Sequence, residues 1–124
     1  MPVRGIRGAI SVEENEAQSI LSATRELLEE IKLSNPTLQA EDIASILFTV
    51  TNDLDAVHPA KAARVMGWDM VPLMCAVEIP VPGSLPKCIR ILIHWNTSLD
   101  QISIHHCYCR NAIKLRPDLI RSKK

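Results

Sequence analysis

An α+β fold, in which a mixed five-stranded sheet carries one long and one short helix on one face, is what this sequence predicts. Three observations lead there. Apolar residues recur at three- and four-residue spacing only between Ala17 and Ile31, so one long helix is expected. Several runs rich in Val and Ile are separated by Pro, Gly and Asn-Asp punctuation, as strands are. The composition, 47% hydrophobic and 23% charged over 124 residues, is that of a chain able to bury a core as a single domain spanning 1–124.

Residues 3–10 are short and β-branched and contain Gly5 and Gly8, which suggests a strand with a bulge or a close backbone approach. Ser11-Val-Glu-Glu14 has the form of a capping box, and Glu13, Glu14 and Glu16 suit the positive end of a helix dipole. The helix stripe that follows is Ala17, Ile20, Leu21, Thr24, Leu27, Leu28 and Ile31, and Asn35-Pro36 stops it. Ala40-Glu41-Asp42 reads as one helical turn and residues 43–51 as a buried strand. A loop at residues 52–55 precedes a short helix over 59–66, opened by Pro59 and closed by Gly67. Residues 68–79 read as a third strand, 80–86 as a rigid loop, 87–96 as a fourth strand and 102–110 as a fifth. Residues 111–124 form an irregular tail.

The fourth strand is the most readable. Ile89, Ile91, Ile93 and Trp95 share one face, which suits packing beneath the long helix. Cys88, Arg90, Leu92, His94 and Asn96 share the other, and Arg90 simply buried there would be expensive. That face therefore meets solvent or other subunits around a polar pocket.

Charge and composition exclude several function classes. Lys plus Arg and Asp plus Glu number 14 each, so no net field draws the chain to nucleic acid or anionic membrane. Aromatic residues, at 3%, are too few for base-stacking platforms. No apolar run is long enough to span a membrane, and the first residues lack the apolar stretch of a signal peptide, so a cytoplasmic protein with reduced thiols is expected. His105, Cys107 and Cys109 would share a strand face, but three such positions spread over about 13 Å, too far apart for one tetrahedral metal. No metal site and no cofactor are expected. The glycines at 5, 8, 67 and 83 build neither a P-loop nor a dinucleotide fingerprint.

What remains is a scatter of cations beside apolar strand and helix residues, namely Arg7, Lys61, Arg64 and Arg90, with Glu78 near the end of the third strand. Together they suit a small polyanion with one hydroxyl for Glu78 to match, since arginine clamps carboxylates bidentately.

At these residues the sequence resembles the monofunctional chorismate mutases of the AroH class. The resemblance is carried by Arg4-Gly-Ile-Arg-Gly-Ala9, Asp53-Leu-Asp-Ala-Val57, Pro59-Ala-Lys-Ala62, Gly67-Trp68 and Val71-Pro72. It continues through Cys75 with Glu78, Lys87-Cys-Ile-Arg90, Tyr108 and Leu115-Arg-Pro-Asp-Leu119. Such a resemblance implies a homotrimeric pseudo-barrel with active sites at the subunit interfaces, and the Claisen rearrangement of chorismate to prephenate without cofactor. It further implies that Arg90 contacts the ether oxygen and a carboxylate, that Arg7 binds a carboxylate, and that Glu78 and Cys75 hold the ring hydroxyl. Tyr108 and Arg64, the latter from the neighbouring chain, would complete a pocket that also involves Lys61, Met74, His58 and Leu115. The tail around Leu115 to Leu119 would close over it. His58 stands where the family often carries an aromatic residue, so that wall is expected to differ; Met74 stands where it often carries a small polar one, a backbone contact there would survive, and neither is expected to abolish activity. Two other readings share parts of this pattern: a trimeric enamine/imine deaminase, which also clamps a carboxylate with arginine, and a non-catalytic metabolite-binding trimer.

Overall fold

The structure, a computed structural model, describes residues 1–115. Strand β1 (Val3–Ser11) leads into helix α1 (Ala17–Ser34), a single 3-10 turn (Ala40–Asp42) and strand β2 (Ile43–Val50). Helix α2 (Ala60–Val65), strand β3 (Leu73–Val77) and strand β4 (Cys88–Asn96) follow. A 3-10 turn (Gln101–Ser103), strand β5 (Cys107–Cys109) and a last 3-10 helix (Arg110–Lys114) complete the described chain. The five strands form one mixed sheet in the order β3-β2-β4-β1-β5. β1 and β2 lie antiparallel to β4, while β5 runs parallel to β1 and β3 parallel to β2. No helix among the described residues is long and apolar enough to cross a membrane.

The core lies between α1 and the sheet. Ile20, Leu27, Leu28 and Ile31 are fully buried against Ile6, Ile10, Ile46, Phe48, Ile89, Ile93 and Trp95. Each such side chain contributes about 1.5–3 kcal/mol of burial. The alternation expected in β4 is observed: its odd-numbered residues pack in this core, and Arg90, Leu92, His94 and Asn96 are half-buried on the opposite face. The helix stripe differs in three places, one of them Leu21, which is half-buried. Ala23 is buried and Ala17, in the first turn, is exposed.

Gly8 is where the long helix comes close to the sheet. A Cβ there would stand 2.9 Å from Ile91 Cγ2, 3.1 Å from the Cys107 carbonyl oxygen and 3.2 Å from Ile31 Cδ1. The bulge alternative does not occur, since β1 pairs with β4 in unbroken register from Val3 to Ser11. Gly67, at φ +98°, ends α2 in the left-handed conformation as expected.

Three boundaries depart from expectation for identifiable reasons. Ser11 does not cap α1. It continues β1, paired with Cys88, and its hydroxyl accepts the Asn111 backbone N–H, so α1 starts after Glu16 without a side-chain cap or an acidic residue in its first turn. β3 begins at Leu73 rather than residue 68, because Pro72 has no N–H for a ladder and Val71 closes a turn onto the Trp68 carbonyl. β5 is reduced to Cys107–Cys109 because side chains occupy the first half of the β1 edge. Gln101 exchanges two hydrogen bonds with the Gly5 backbone, and His106 Nδ1 accepts the Arg7 N–H. A 3-10 helix, Arg110–Lys114, takes the last residue expected in the fifth strand and residues 111–114 of the expected irregular tail, and residues 116–124 lie outside the described part.

Candidate active site

The sheet face away from the helices carries the site, and strand register builds it. Ala9 pairs with both Arg90 and Tyr108, Arg90 with Thr49, and Thr49 with Ala76. One row, Tyr108–Ala9–Arg90–Thr49–Ala76, thus crosses all five strands with its side chains on one face. Two residues along, Arg7, Leu92, Leu47 and Met74 form the next row on that face. Glu78 follows the last residue of β3, where its N–H still bonds to the Val50 carbonyl. From there its carboxylate reaches back over β2.

The result is a cleft of about 630 Å3 lined by Arg7, Leu47, Thr49, Glu78, Arg90, Leu92, Tyr108 and Leu115. Two guanidinium groups and one carboxylate thus face an otherwise largely apolar hollow. Arg90 Nε is buried and has no hydrogen-bond partner among the described residues. Its separation from Glu78 Oε2, 3.9 Å, is ion-pair distance but beyond a hydrogen bond. The Thr49 hydroxyl donates to that same Oε2 at 2.5 Å.

The floor of the site is set by a second, smaller cluster. Ala9, Cys88, Tyr108 and Ala112 are buried together, with Leu85 and Leu115 packed against them. Burial pushes the Cys88 thiol above its ordinary value of 9.0, while the neighbouring Arg90 charge pulls it back. The approach of the chain to β4 is pinned as well. Lys87 takes the left-handed conformation, φ 48°, with its N–H donated to both oxygens of Asp53 at 3.1 Å. Thr51 donates to Asp53 and accepts the Cys88 N–H. The Asp53 and Lys87 segments, far apart in sequence, therefore meet to position Arg90.

Of the ten site residues expected from the sequence, Arg7, Glu78, Arg90, Tyr108 and Leu115 come together in this cleft. The other five do not. Cys75 pairs with Phe48, so its side chain lies on the helix-covered face, opposite Arg90, where it is packed against the core. It lines a separate hollow of about 360 Å3 with His58 and Pro59. Lys61 and Arg64 are exposed on α2. Met74 lies on the same face as Arg7 but on the edge strand, 67% exposed. Thr49, which sequence reasoning missed, lines the cleft. Alternation within β2 marks it as opposite in face to Phe48, but only register puts it beside Arg90. Among the described residues no disulfide forms, and no group of three or more His, Cys, Asp or Glu is placed to hold a metal.

The architecture is a mixed sheet with helices on one face and a two-arginine, one-carboxylate cleft on the other. Comparison with known proteins is specific. Residues 3–119 match the family chorismate mutase type I. The chain is 52% identical over 117 residues to chorismate mutase AroH of Thermus thermophilus, covering 94% of this chain and 96% of that one. It is 44% identical over 124 residues to chorismate mutase AroH of Bacillus subtilis (strain 168), covering 99% and 97%. A solved chorismate mutase from Clostridium thermocellum superposes with a TM-score of 0.84 at 52% identity, over 87% of this chain and 96% of that one. The chain belongs to the chorismate mutase type I family. Its activity is that of a chorismate mutase, an isomerase of aromatic amino acid biosynthesis.

Proposed function

We propose that chorismate rearranges to prephenate in the Arg90 cleft, completed by a neighbouring copy of the chain in a homotrimer. The observation that carries this reading is the shared placement of Arg7, Glu78, Arg90 and Tyr108 around one hollow. In the reaction the ether C–O bond breaks as a C–C bond forms, with no proton or electron exchanged. The protein has two tasks: to hold the substrate in its compact, chair-like conformer, and to oppose the negative charge that grows on the ether oxygen. Arg90, whose Nε lacks a partner among the described residues, donates to that oxygen and to a carboxylate. Arg7 takes a carboxylate, Glu78 accepts the ring hydroxyl, Tyr108 adds a donor and Leu115 an apolar wall.

One chain leaves this cleft half open. The Arg90 side chain is 37% exposed, and a guanidinium in contact with water loses much of its effect on a developing charge. The residues that would close it, His58, Lys61, Arg64, Met74 and Cys75, lie elsewhere on the same chain, as they must if a neighbour supplies them. Met74, Val77, Ile79 and Val81 leave an apolar, exposed surface at and beyond edge strand β3, which another copy would cover. The cytoplasm, where four thiols without a disulfide persist, is the compartment this reading assigns.

Loss of chorismate absorbance, with acid conversion of the product to phenylpyruvate, measures the reaction. Replacing Arg90 by Ala is expected to lower kcat/KM by about 10²–10³-fold, the scale of losing a preorganised oxyanion donor. Arg90→Lys should restore little of it, because an ammonium cannot span two acceptors as the planar fork does. Unchanged turnover in Arg90→Ala would remove Arg90 from this role.

A further inference from the structure

The Glu78 carboxylate has two partners in the cleft, and only one of them hydrogen-bonds to it. The Thr49 hydroxyl donates to Oε2 at 2.5 Å, while Arg90 Nε stands 3.9 Å from the same oxygen, buried and without a hydrogen-bond partner among the described residues. A carboxylate and a guanidinium that close pair strongly when nothing restrains them, because both are charged and the planar fork can donate two parallel hydrogen bonds. Such a pair would consume both the cation meant for the substrate and the acceptor meant for its hydroxyl. Thr49 is the side chain placed to restrain it. It is the direct cross-strand neighbour of Arg90, and its β-branched side chain is stiff about χ1 on the β2 backbone, so its hydroxyl is fixed in direction.

We propose that Thr49 is a positioning residue for Glu78: it holds Oε2 at ion-pair distance but short of a hydrogen bond with Arg90 Nε, leaving Oε1 to accept the substrate hydroxyl and the guanidinium N–H groups free for the anion. The inference rests on the reading of Glu78 as the acceptor of that hydroxyl. The hydroxyl, on the carbon next to the breaking C–O bond, takes no part in the bond change, so its contact with Glu78 is made in ground and transition states alike. Loss of the anchor therefore raises KM rather than lowering kcat.

Chorismate kinetics and thermal unfolding of Thr49→Val, Thr49→Ala and Thr49→Ser, alone and combined with Glu78→Ala, test it. Val keeps the shape and strand preference but not the hydroxyl, Ala removes the hydroxyl with less bulk should Val misfold, and Ser keeps it. Thr49→Val and Thr49→Ala are expected to raise KM about tenfold with kcat within about twofold of wild type, the effect of one lost hydrogen bond to a charged group. Thr49→Ser should stay near wild type, and the melting temperature should barely move. In the Glu78→Ala background, replacing Thr49 should add nothing. An unchanged KM in Thr49→Val or Thr49→Ala, where Glu78→Ala raises KM, overturns the role of Thr49 alone. So does a fall in kcat at constant KM, or a full effect persisting without Glu78. An unchanged KM in Glu78→Ala overturns the assignment of Glu78 itself and this inference with it.

Discussion

Arg90 sits among small neighbours, and each shapes what its guanidinium can do. Ala9 and Thr49 flank it across the strands, and Cys88 precedes it on the same face of β4. Burial keeps the Cys88 thiol protonated, so no thiolate forms beside the guanidinium to neutralise it. That preference has a thermodynamic consequence. The folded protein holds the thiol proton to higher pH than the unfolded chain, whose thiol titrates near 9.0. The associated stability is complete below that value and falls as pH rises past it, by at most about 1.4 kcal/mol per pH unit for one proton. Urea unfolding of wild type and Cys88→Ala between about pH 7.5 and about pH 10 should show the steeper alkaline loss in the wild type. Equal slopes would show that Cys88 contributes nothing to it.

Among the elements, β1 is bound on both edges and roofed by α1, and Gly8 lies where all three constraints meet. A methyl group there would press on Ile91, the Cys107 carbonyl and Ile31 at 2.9, 3.1 and 3.2 Å, and the carbonyl is backbone that yields little. Gly8→Ala is expected to cost about 1–3 kcal/mol by overpacking, seen as a lower urea midpoint at unchanged slope. An unaltered midpoint would mean that α1 can back away freely. How much of this architecture is legible in the sequence depends on where each element finds its partners. α1 and β4 are readable because their own periodicity decides which face is buried. The start of α1 is not, since Ser11 serves β1 and the Asn111 N–H instead of the helix. β5 falls short because Gln101 and His106 occupy the β1 edge with side chains, a competition no propensity records. In the site, Arg7, Glu78, Arg90, Tyr108 and Leu115 are marked by the family motifs, while pattern alone marks only cations beside apolar strand and helix residues, with Glu78 near the end of the third strand. Thr49 stays hidden because strand register is a long-range property.

For the molecule as a whole, the distribution of surface matters more than its net charge, which is zero. Helices cover one face of the sheet. The other keeps Arg90 37% exposed, and the β3 side carries Met74 at 67%, Val77 at 64% and Ile79 at 78% exposed. In the trimer proposed above, a second chain would dry the cleft and cover the apolar edge. The most direct measurement is therefore complementation between two impaired variants, Arg90→Ala and Arg64→Ala, co-refolded in equal amounts and assayed for chorismate turnover. If each site takes Arg90 from one chain and Arg64 from its neighbour, random mixed trimers restore about a quarter of wild-type sites. A mixture no more active than its separate parents would contradict an active site shared between chains.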